Sequence, residues 1–285
     1  MSNMVKYKGV LEKAIIKMAT EIPPDVSKAL KIAARREESV IAKKQFETII
    51  ESIGISHAKS LPLCQDTGLL TVFLNGKYVV DCDIIREDLE KILIELTNIG
   101  KIRPNLVNSI SRVPIKGNVG LGEPEIYLGM EKEDSIKLML KGAGSENYSA
   151  LEMFLPSVDV HDINKFVLKK TLDAGGKICP PSIVSVAIGG SPAAVVVESR
   201  KALFSKIGER NKDKYLAQWE KKLLKALNEL NIGPMGLGGK TGVLDVKIRV
   251  LGTHIAMLPV ALTYSCWALR RIQIRKVQGN EVISW

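Results

Sequence analysis

Cys64, Cys179 and Cys266 are the residues of this chain whose settings point to chemistry. They lie in Leu63-Cys64-Gln65-Asp66-Thr67-Gly68, Ile178-Cys179-Pro180-Pro181-Ser182 and Ser265-Cys266-Trp267, three separate turn-like or strand-end settings. Thiolates are preferred ligands of iron-sulfur clusters and of zinc, and neighbouring Gly, Pro and Ser leave backbone N–H groups free to reach cluster sulfurs. The wide spacing argues against a zinc ribbon, which takes its ligands from short Cys-x2-4-Cys knuckles. Three converging cysteines would leave one iron open to act as a Lewis acid, so the number itself hints at catalysis over electron transfer.

The next groups are polar. Asp66 stands two residues from Cys64, where a carboxylate could move a proton, and Gln65 beside it could orient a substrate carboxylate. His254 is set among Ile255, Ala256 and Met257, and the spacing places it on a strand covering 254–263 that leads toward Cys266. Gly144, in Gly142-Ala143-Gly144-Ser145-Glu146-Asn147, would let a backbone N–H approach a ligand. Gly236-Leu237-Gly238-Gly239-Lys240-Thr241 imitates a nucleotide P-loop but has Pro234 where the motif needs glycine, and it follows an amphipathic helix where the motif needs a strand. Its N–H groups could still cradle a carboxylate. Gly117-Asn118-Val119-Gly120-Leu121-Gly122 lacks a surrounding βα unit and reads as a turn.

Composition narrows the options. The chain has 285 residues, 46% of them hydrophobic, enough for a full core. Lys and Arg exceed Asp and Glu by 41 to 31, yet the lysines are scattered and aromatics make up only 5% of residues, which disfavours a nucleic-acid surface. The excess suits an anionic substrate or an acidic partner. Residues 1–10 hold no long apolar stretch, and the most apolar segment, 183–197, is interrupted by Gly189-Gly190-Ser191-Pro192; no membrane span and no exported leader are expected. Four cysteines without an obvious disulfide framework suit a reducing cytoplasm.

The elements that must position these residues are expected as follows. Helices cover a segment opened by Pro23-Pro24-Asp25, then 39–53 and 86–99, and form an N-terminal helical layer. Strands at 68–74 and 77–80 form a hairpin about Asn75-Gly76, and 126–130 and 135–140 are further strands. Residues 142–147 form a loop and 158–172 a helix, while 183–187 and 193–197 are buried strands, or a helix and a strand. Residues 214–230 form an amphipathic helix with Leu216, Trp219, Leu223, Leu227 and Leu230 inward, and 243–250 is a strand. No repeat or linker is evident, so the expectation is a mixed α/β fold, a helical N-terminal layer packed on a mixed sheet, in one compact cluster-binding domain over 1–285.

Taken together, the Cys64-Gln65-Asp66-Thr67-Gly68 block, the 117–123 and 142–147 segments, Cys179-Pro180-Pro181, the Gly-Gly-Lys-Thr block ending at Thr241 and the stretch from His254 to Cys266 resemble the iron-sulfur-dependent (class I) fumarate hydratases. The length is similar to the separate α subunit of the two-subunit form, and to the α subunit of L(+)-tartrate dehydratase. The resemblance implies a 4Fe-4S cluster on Cys64, Cys179 and Cys266, with Asp66 and His254 as catalytic residues and Gln65, Arg103 and Gly144 at the substrate. Arg103, in Ile102-Arg103-Pro104-Asn105, resembles an arginine that contacts the substrate carboxylate in that family, a task its planar fork suits, with Arg112 as its competitor. Cys82 falls outside the matching blocks and reads as a small core or strand residue. The implied activity is a hydro-lyase that converts fumarate to L-malate, with tartrate dehydration as the same-class alternative. A non-catalytic, cluster-binding regulatory protein is the alternative from another class. A separate β subunit is implied to supply the missing base and dicarboxylate anchors, making a hetero-oligomer, with the basic 270–276 stretch at the junction.

Overall fold

The computed structural model describes residues 7–129, 131–278 and 280–285. Met130, expected to end a strand, and residues 1–6 lie outside the described residues. The chain divides into two compact units, the first from residues 1–23, 52–143 and 269–285 and the second from 24–51 and 144–268. The sequence lacks a linker for a structural reason: the chain passes between the units four times, twice inside a helix.

The first unit contains helices α1 (Lys8–Thr20) and α4 (Cys82–Asn98) and strands β1 (Leu69–Asn75), β2 (Glu125–Leu128), β3 (Ser135–Lys141), β8 (Arg270–Val277) and β9 (Asn280–Ser284). The strands lie in the order β2-β1-β3-β8-β9, antiparallel except for the parallel β1–β2 pair. Alternation along the strands sends Leu70, Val72, Leu74, Ile136, Leu138, Leu140, Ile272 and Ile274 to one face. That face forms one buried core with Leu11, Ile15 and Met18 of α1 and Ile85, Leu89 and Ile92 of α4. Cys82, at the start of α4, is half-buried against this core.

Two expectations fail here. No hairpin follows β1: residues Gly76–Val79 make a 3-10 turn, because the Lys77 N–H donates to Asp134 Oδ1 at 2.9 Å and Tyr78 is drawn into the core. The basic 270–276 stretch, expected at the surface junction, is the interior strand β8, and Arg270 and Arg271 are buried.

The second unit holds α2 (Pro24–Arg36), the first part of α3 (Val40–Lys59), α6 (Val160–Ala174), α7 (Pro192–Ala202) and α8 (Lys214–Glu229). Its strands are β4 (Ala150–Phe154), β5 (Ser182–Ile188), β6 (Val243–Val250) and β7 (Leu258–Ser265), in the order β4-β7-β5-β6 with only β5–β6 parallel. The α6 and α8 helices cover one face, where Ile163, Val167, Trp219, Leu223 and Leu227 meet Val184, Val186, Val246, Val260 and Leu262. Against the other face, Val195 of α7 packs with Ala187 and Ala261. Burial of β5 on both faces explains its apolar run, interrupted only at Ser185, whose buried hydroxyl donates to the Ser199 carbonyl at 2.6 Å.

Residues 193–197 are thus helical, capped by the Ser191 hydroxyl accepting from the Ala194 N–H at 3.2 Å. The 142–147 segment contains one helical turn, α5 (Ala143–Glu146). The helices expected to form one N-terminal layer are shared between the units, α2 in the second, α4 in the first and α3 divided between them, while α1 lies outside that expectation.

The second unit is also tied by an internal ionic network. Asp245 is fully buried; Oδ1 accepts from Arg210 Nη2 and from the Val246 N–H, and Oδ2 accepts from the Gly208 N–H at 2.8 Å and Lys247 Nζ at 3.0 Å. Buried Glu220 accepts beside it from the N–H groups of Asn211 and Ile248, both at 3.1 Å. Arg210, Glu220 and Lys247 of this network line a cavity of about 280 Å³ together with Glu209, Lys212 and Arg249, and their bonds within the network make that wall a pinned fold element. Asp245→Ala should therefore cost about 3–5 kcal/mol by removing the carboxylate that faces buried Lys247 and half-buried Arg210, measured as a lower midpoint in urea denaturation.

Candidate active site

Strand register gathers the candidate residues at sheet ends. In the first unit Leu69 opens β1 opposite Lys141 at the close of β3, and Leu140 stands opposite Arg270 at the start of β8. The segment carrying Cys64 and Asp66, the Gly142-Ala143 peptide and Arg270 are thereby brought to one end of this sheet.

The Asp66 side chain is held at both oxygens. Oδ1 accepts from the Gly68 N–H at 2.9 Å and from Asn105 Nδ2 at 3.5 Å, and Oδ2 accepts from the Ala143 N–H at 2.7 Å. Gly68 has φ of +85°, and a Cβ there would meet the Lys141 backbone at 2.7 Å, so the turn requires glycine. Thr67 is fully buried; its hydroxyl accepts from the Arg103 N–H at 3.0 Å and Asn105 Nδ2 at 3.2 Å. Behind it, Asn118 Oδ1 accepts from the N–H groups of Asn105 and Leu106 at 2.8 and 2.9 Å, while its Nδ2 donates to the Arg103 carbonyl at 2.7 Å. These bonds bring Arg103, with its side chain exposed, to the Cys64–Asp66 segment, whereas Arg112 sits at a turn with φ of +60°. Gln65 is exposed next to Asp66.

In the second unit, Ile183 near the start of β5 stands opposite Ser265 at the end of β7. Cys179 precedes one strand and Cys266 follows the other, so both lie at the same sheet end, and the Trp267 N–H donates to the Cys179 carbonyl at 3.3 Å. Gly144 is at this end too, with the Lys177 carbonyl 3.6 Å from where its Cβ would stand. The Cys179 segment is held from behind by residues Pro234–Gly236, through the Met235 N–H donating to the Pro180 carbonyl at 2.8 Å.

The Gly-Gly-Lys-Thr loop does cradle a carboxylate, but an internal one. Glu37 Oε2 accepts from the Lys240 N–H at 2.8 Å, and Glu37 Oε1 accepts from the N–H groups of Glu38 and Ser39 at the start of α3. Lys240 Nζ is bound to Glu38, which holds that carboxyl below its usual range. A Cβ on Gly239 would come within 2.8 Å of Glu37 Oε2, so the glycine makes room for this contact.

His254 departs from expectation. It lies in the exposed connection from β6 to β7, not on a strand, and its Nδ1 accepts from the Ala256 N–H at 3.1 Å, which places the neutral ring's proton on Nε2. That connection is at the opposite end of β7 from Cys266, a strand length on the order of 20 Å away. The structure therefore does not bring His254 to the cysteines of its own unit.

The four cysteines form no disulfide, and each is half-buried. Among the described residues no three His, Cys, Asp or Glu side chains are already gathered as a metal-ion site; Cys64 belongs to the first unit, Cys179 and Cys266 to the second. The donor chemistry nevertheless fits a cluster. Three partly accessible thiols are available, and buried Arg270 keeps Nε and Nη1 without a hydrogen-bond partner among the described residues beside the Cys64 segment, while Nη2 donates to the Asp66 carbonyl at 3.2 Å.

Comparison with known proteins decides the family, since the family model for fumarate hydratase (Fumerase) matches residues 8–275. The chain belongs to the fumarate hydratase family. That is a hydro-lyase family, and relatives extend along nearly the whole chain. A Methanocaldococcus jannaschii protein named "Putative L(+)-tartrate dehydratase subunit alpha" is 41% identical over 94% of this chain and 96% of its own length. The L(+)-tartrate dehydratase subunit alpha of Escherichia coli K12 is 30% identical over 89% of this chain and 85% of its own length. A Geobacillus stearothermophilus protein named "Putative fumarate hydratase class I" is 30% identical over 99% of this chain but only 57% of its own length. Among the described residues no helix is long and apolar enough to cross a membrane.

Asn105, Asn118, Glu37 and Arg270 are the positioning residues that sequence reasoning missed. Three of their neighbourhoods carried signals that did not single them out: the Pro-Asn turn after Arg103 for Asn105, the 117–123 block for Asn118 and the basic 270–276 stretch for Arg270. Because Asp66 accepts both backbone N–H groups, Asp66→Ala should release them and raise amide exchange at Gly68 and Ala143 about tenfold or more, as measured by hydrogen exchange; unchanged protection would show that the turn holds without the carboxylate.

Proposed function

We propose that this chain is the α subunit of an iron-sulfur-dependent hydratase that interconverts fumarate and L-malate in the cytoplasm, with residues 1–285 acting as its cluster-binding portion. The observation that carries this reading is the Cys64–Asp66 segment: a thiol and, two residues on, a carboxylate locked by two backbone N–H groups. Cys64, Cys179 and Cys266 would hold a 4Fe-4S cluster, and Cys82, packed against the first core, would not. When bound through three protein thiolates, such a cluster supplies one iron as a Lewis acid toward the substrate hydroxyl.

The chain's own residues do the rest of its share. Asp66, fixed in place, exchanges the proton of the leaving or attacking water at its carboxylate oxygens. Fixed orientation matters because an aligned group replaces an encounter that would otherwise cost entropy. Arg103, exposed and tethered by its backbone to Thr67 and Asn118, is suited to clamp a carboxylate through its fork, with Gln65 and the Gly144 backbone as further contacts. His254 is left outside this proposal because of its distance from Cys179 and Cys266.

The proton at carbon needs a base, and neither sheet end holds a second positioned acid or base among the residues named above. A separate β subunit is proposed to supply it, together with further dicarboxylate anchors, in a hetero-oligomer. The names of the two relatives of matching length, both tartrate dehydratase α subunits, support the division into subunits. They also favour a second reading of the substrate, L(+)-tartrate, which loses water by the same chemistry.

Turnover of fumarate and of L(+)-tartrate by the anaerobically reconstituted α/β complex tests the proposal. Activity should require both chains, and full activity from the cluster-loaded α chain alone would overturn the subunit reading. Cys64→Ser, Cys179→Ser and Cys266→Ser should each abolish retention of iron and sulfide, while Cys82→Ser keeps both. Asp66→Asn should keep the cluster and slow turnover by about 10²-fold or more; a native rate would return Asp66 to a turn residue.

A further inference from the structure

The inward stripe of the first sheet is apolar except at one end. Leu74, Val72 and Leu70 of β1 stand opposite Ile136, Leu138 and Leu140 of β3, which stand opposite Ile274, Ile272 and Arg270 of β8. Every one of these but Arg270 belongs to the buried core. Alternation thus puts a guanidinium where the pattern asks for an aliphatic side chain, and its exposure is 1%. One N–H, on Nη2, is used by the Asp66 carbonyl at 3.2 Å; Nε and Nη1 are buried with no partner among the described residues.

A permanently charged group in such a place is strongly disfavoured unless an anion or a set of acceptors meets it. The Asp66 carboxylate is turned to other donors, Gly68, Ala143 and Asn105. A substrate carboxylate is a poor candidate, because a molecule that enters and leaves needs an accessible face, which Arg103 has and Arg270 lacks. The position along the chain points elsewhere. Arg270 is bonded to the carbonyl two residues after Cys64, so it is tied to the segment of a proposed ligand.

We propose that Arg270 is a positioning residue for the cluster: Nη2 holds the Cys64–Asp66 segment, and Nε and Nη1 donate to the negatively charged sulfur shell of the bound group. The inference rests on the cluster reading above. N–H···S bonds and a buried positive charge favour the more negative, reduced state and tighten retention of the metal. Neither effect needs Arg270 to touch substrate.

The test uses the anaerobically loaded α/β complex with native Arg270, Arg270→Lys and Arg270→Met. Iron release to a chelator should be about 10- to 100-fold faster in Arg270→Met, and the midpoint potential should shift negative. Arg270→Lys, which keeps the charge without the fork, should recover most of the potential and only part of the retention. Thermal melting of the cluster-free chains checks that both variants fold. Should Arg270→Met fail to fold, the native complex labelled with ¹⁵N-arginine decides: pulsed EPR of the reduced cluster should show a ¹⁵N coupling, and its absence overturns the proposal. A folded Arg270→Met complex with native release rate and potential overturns this inference alone. A native complex that takes up no cluster overturns the function reading and this inference with it.

Discussion

Pairing of Leu140 with Leu70 on one side and Arg270 on the other sets the geometry on which the first unit's candidate site depends. The same register places Leu69 against Lys141, so the peptide that follows β3 arrives beside the turn that precedes β1, and the Ala143 N–H finds Asp66 Oδ2. A slip of one residue would turn β3 over, taking Leu138 and Leu140 out of this core and bringing Lys137, Met139 and Lys141 into it. The apolar stripe therefore enforces the register, and the register delivers the carboxylate's donors. The second unit repeats the device, where pairing of Ile183 with Ser265 carries two cysteines to a common end.

Asparagine does comparable work over a shorter range. Asn118 bonds at its side chain to residues 103, 105 and 106, and Asn105 in turn bonds to Thr67 and Asp66. The side-chain amide presents both donors and an acceptor, so one residue can satisfy the backbone on two sides of a loop. The exposed Arg103 side chain thus springs from a backbone fixed on both sides of the peptide.

Much of this was legible before the structure. Periodicity located α2, α3, α4, α6 and α8, the last with Trp219, Leu223 and Leu227 facing inward, because these helices bury one stripe against a sheet. The motif blocks marked the segments that the structure gathers at sheet ends. The failures share a cause in long-range partners. Asn75-Gly76 has the chemistry of a hairpin turn, but Asp134 captures the Lys77 amide and turns the chain aside. The stretch from Arg270 to Lys276 reads as a charged surface, yet alternation lets β8 put Ile272 and Ile274 in the core while carrying basic residues in the same strand. The Gly-Gly-Lys-Thr loop was rightly seen as an anion cradle, and only the fold could reveal that Glu37, about two hundred residues earlier, would occupy it.

The strand order has a consequence for the making of the molecule. Strand β8 lies between β3 and β9, although it comes from residues 270–277 and β3 from residues 135–141. As the ribosome emits the chain, α1, α4, β1 and β3 are available long before the strand that must flank β3, and the second unit's sheet is synthesised in the interval. Until residue 270 emerges, the Asp66 carbonyl lacks the arginine that holds it and the open flank of β3 awaits its pairing. Domains generally fold as units during synthesis, and pairings distant in sequence come last. The turn bearing Cys64 and Asp66 is accordingly completed late, after nearly the whole of this sequence has been translated.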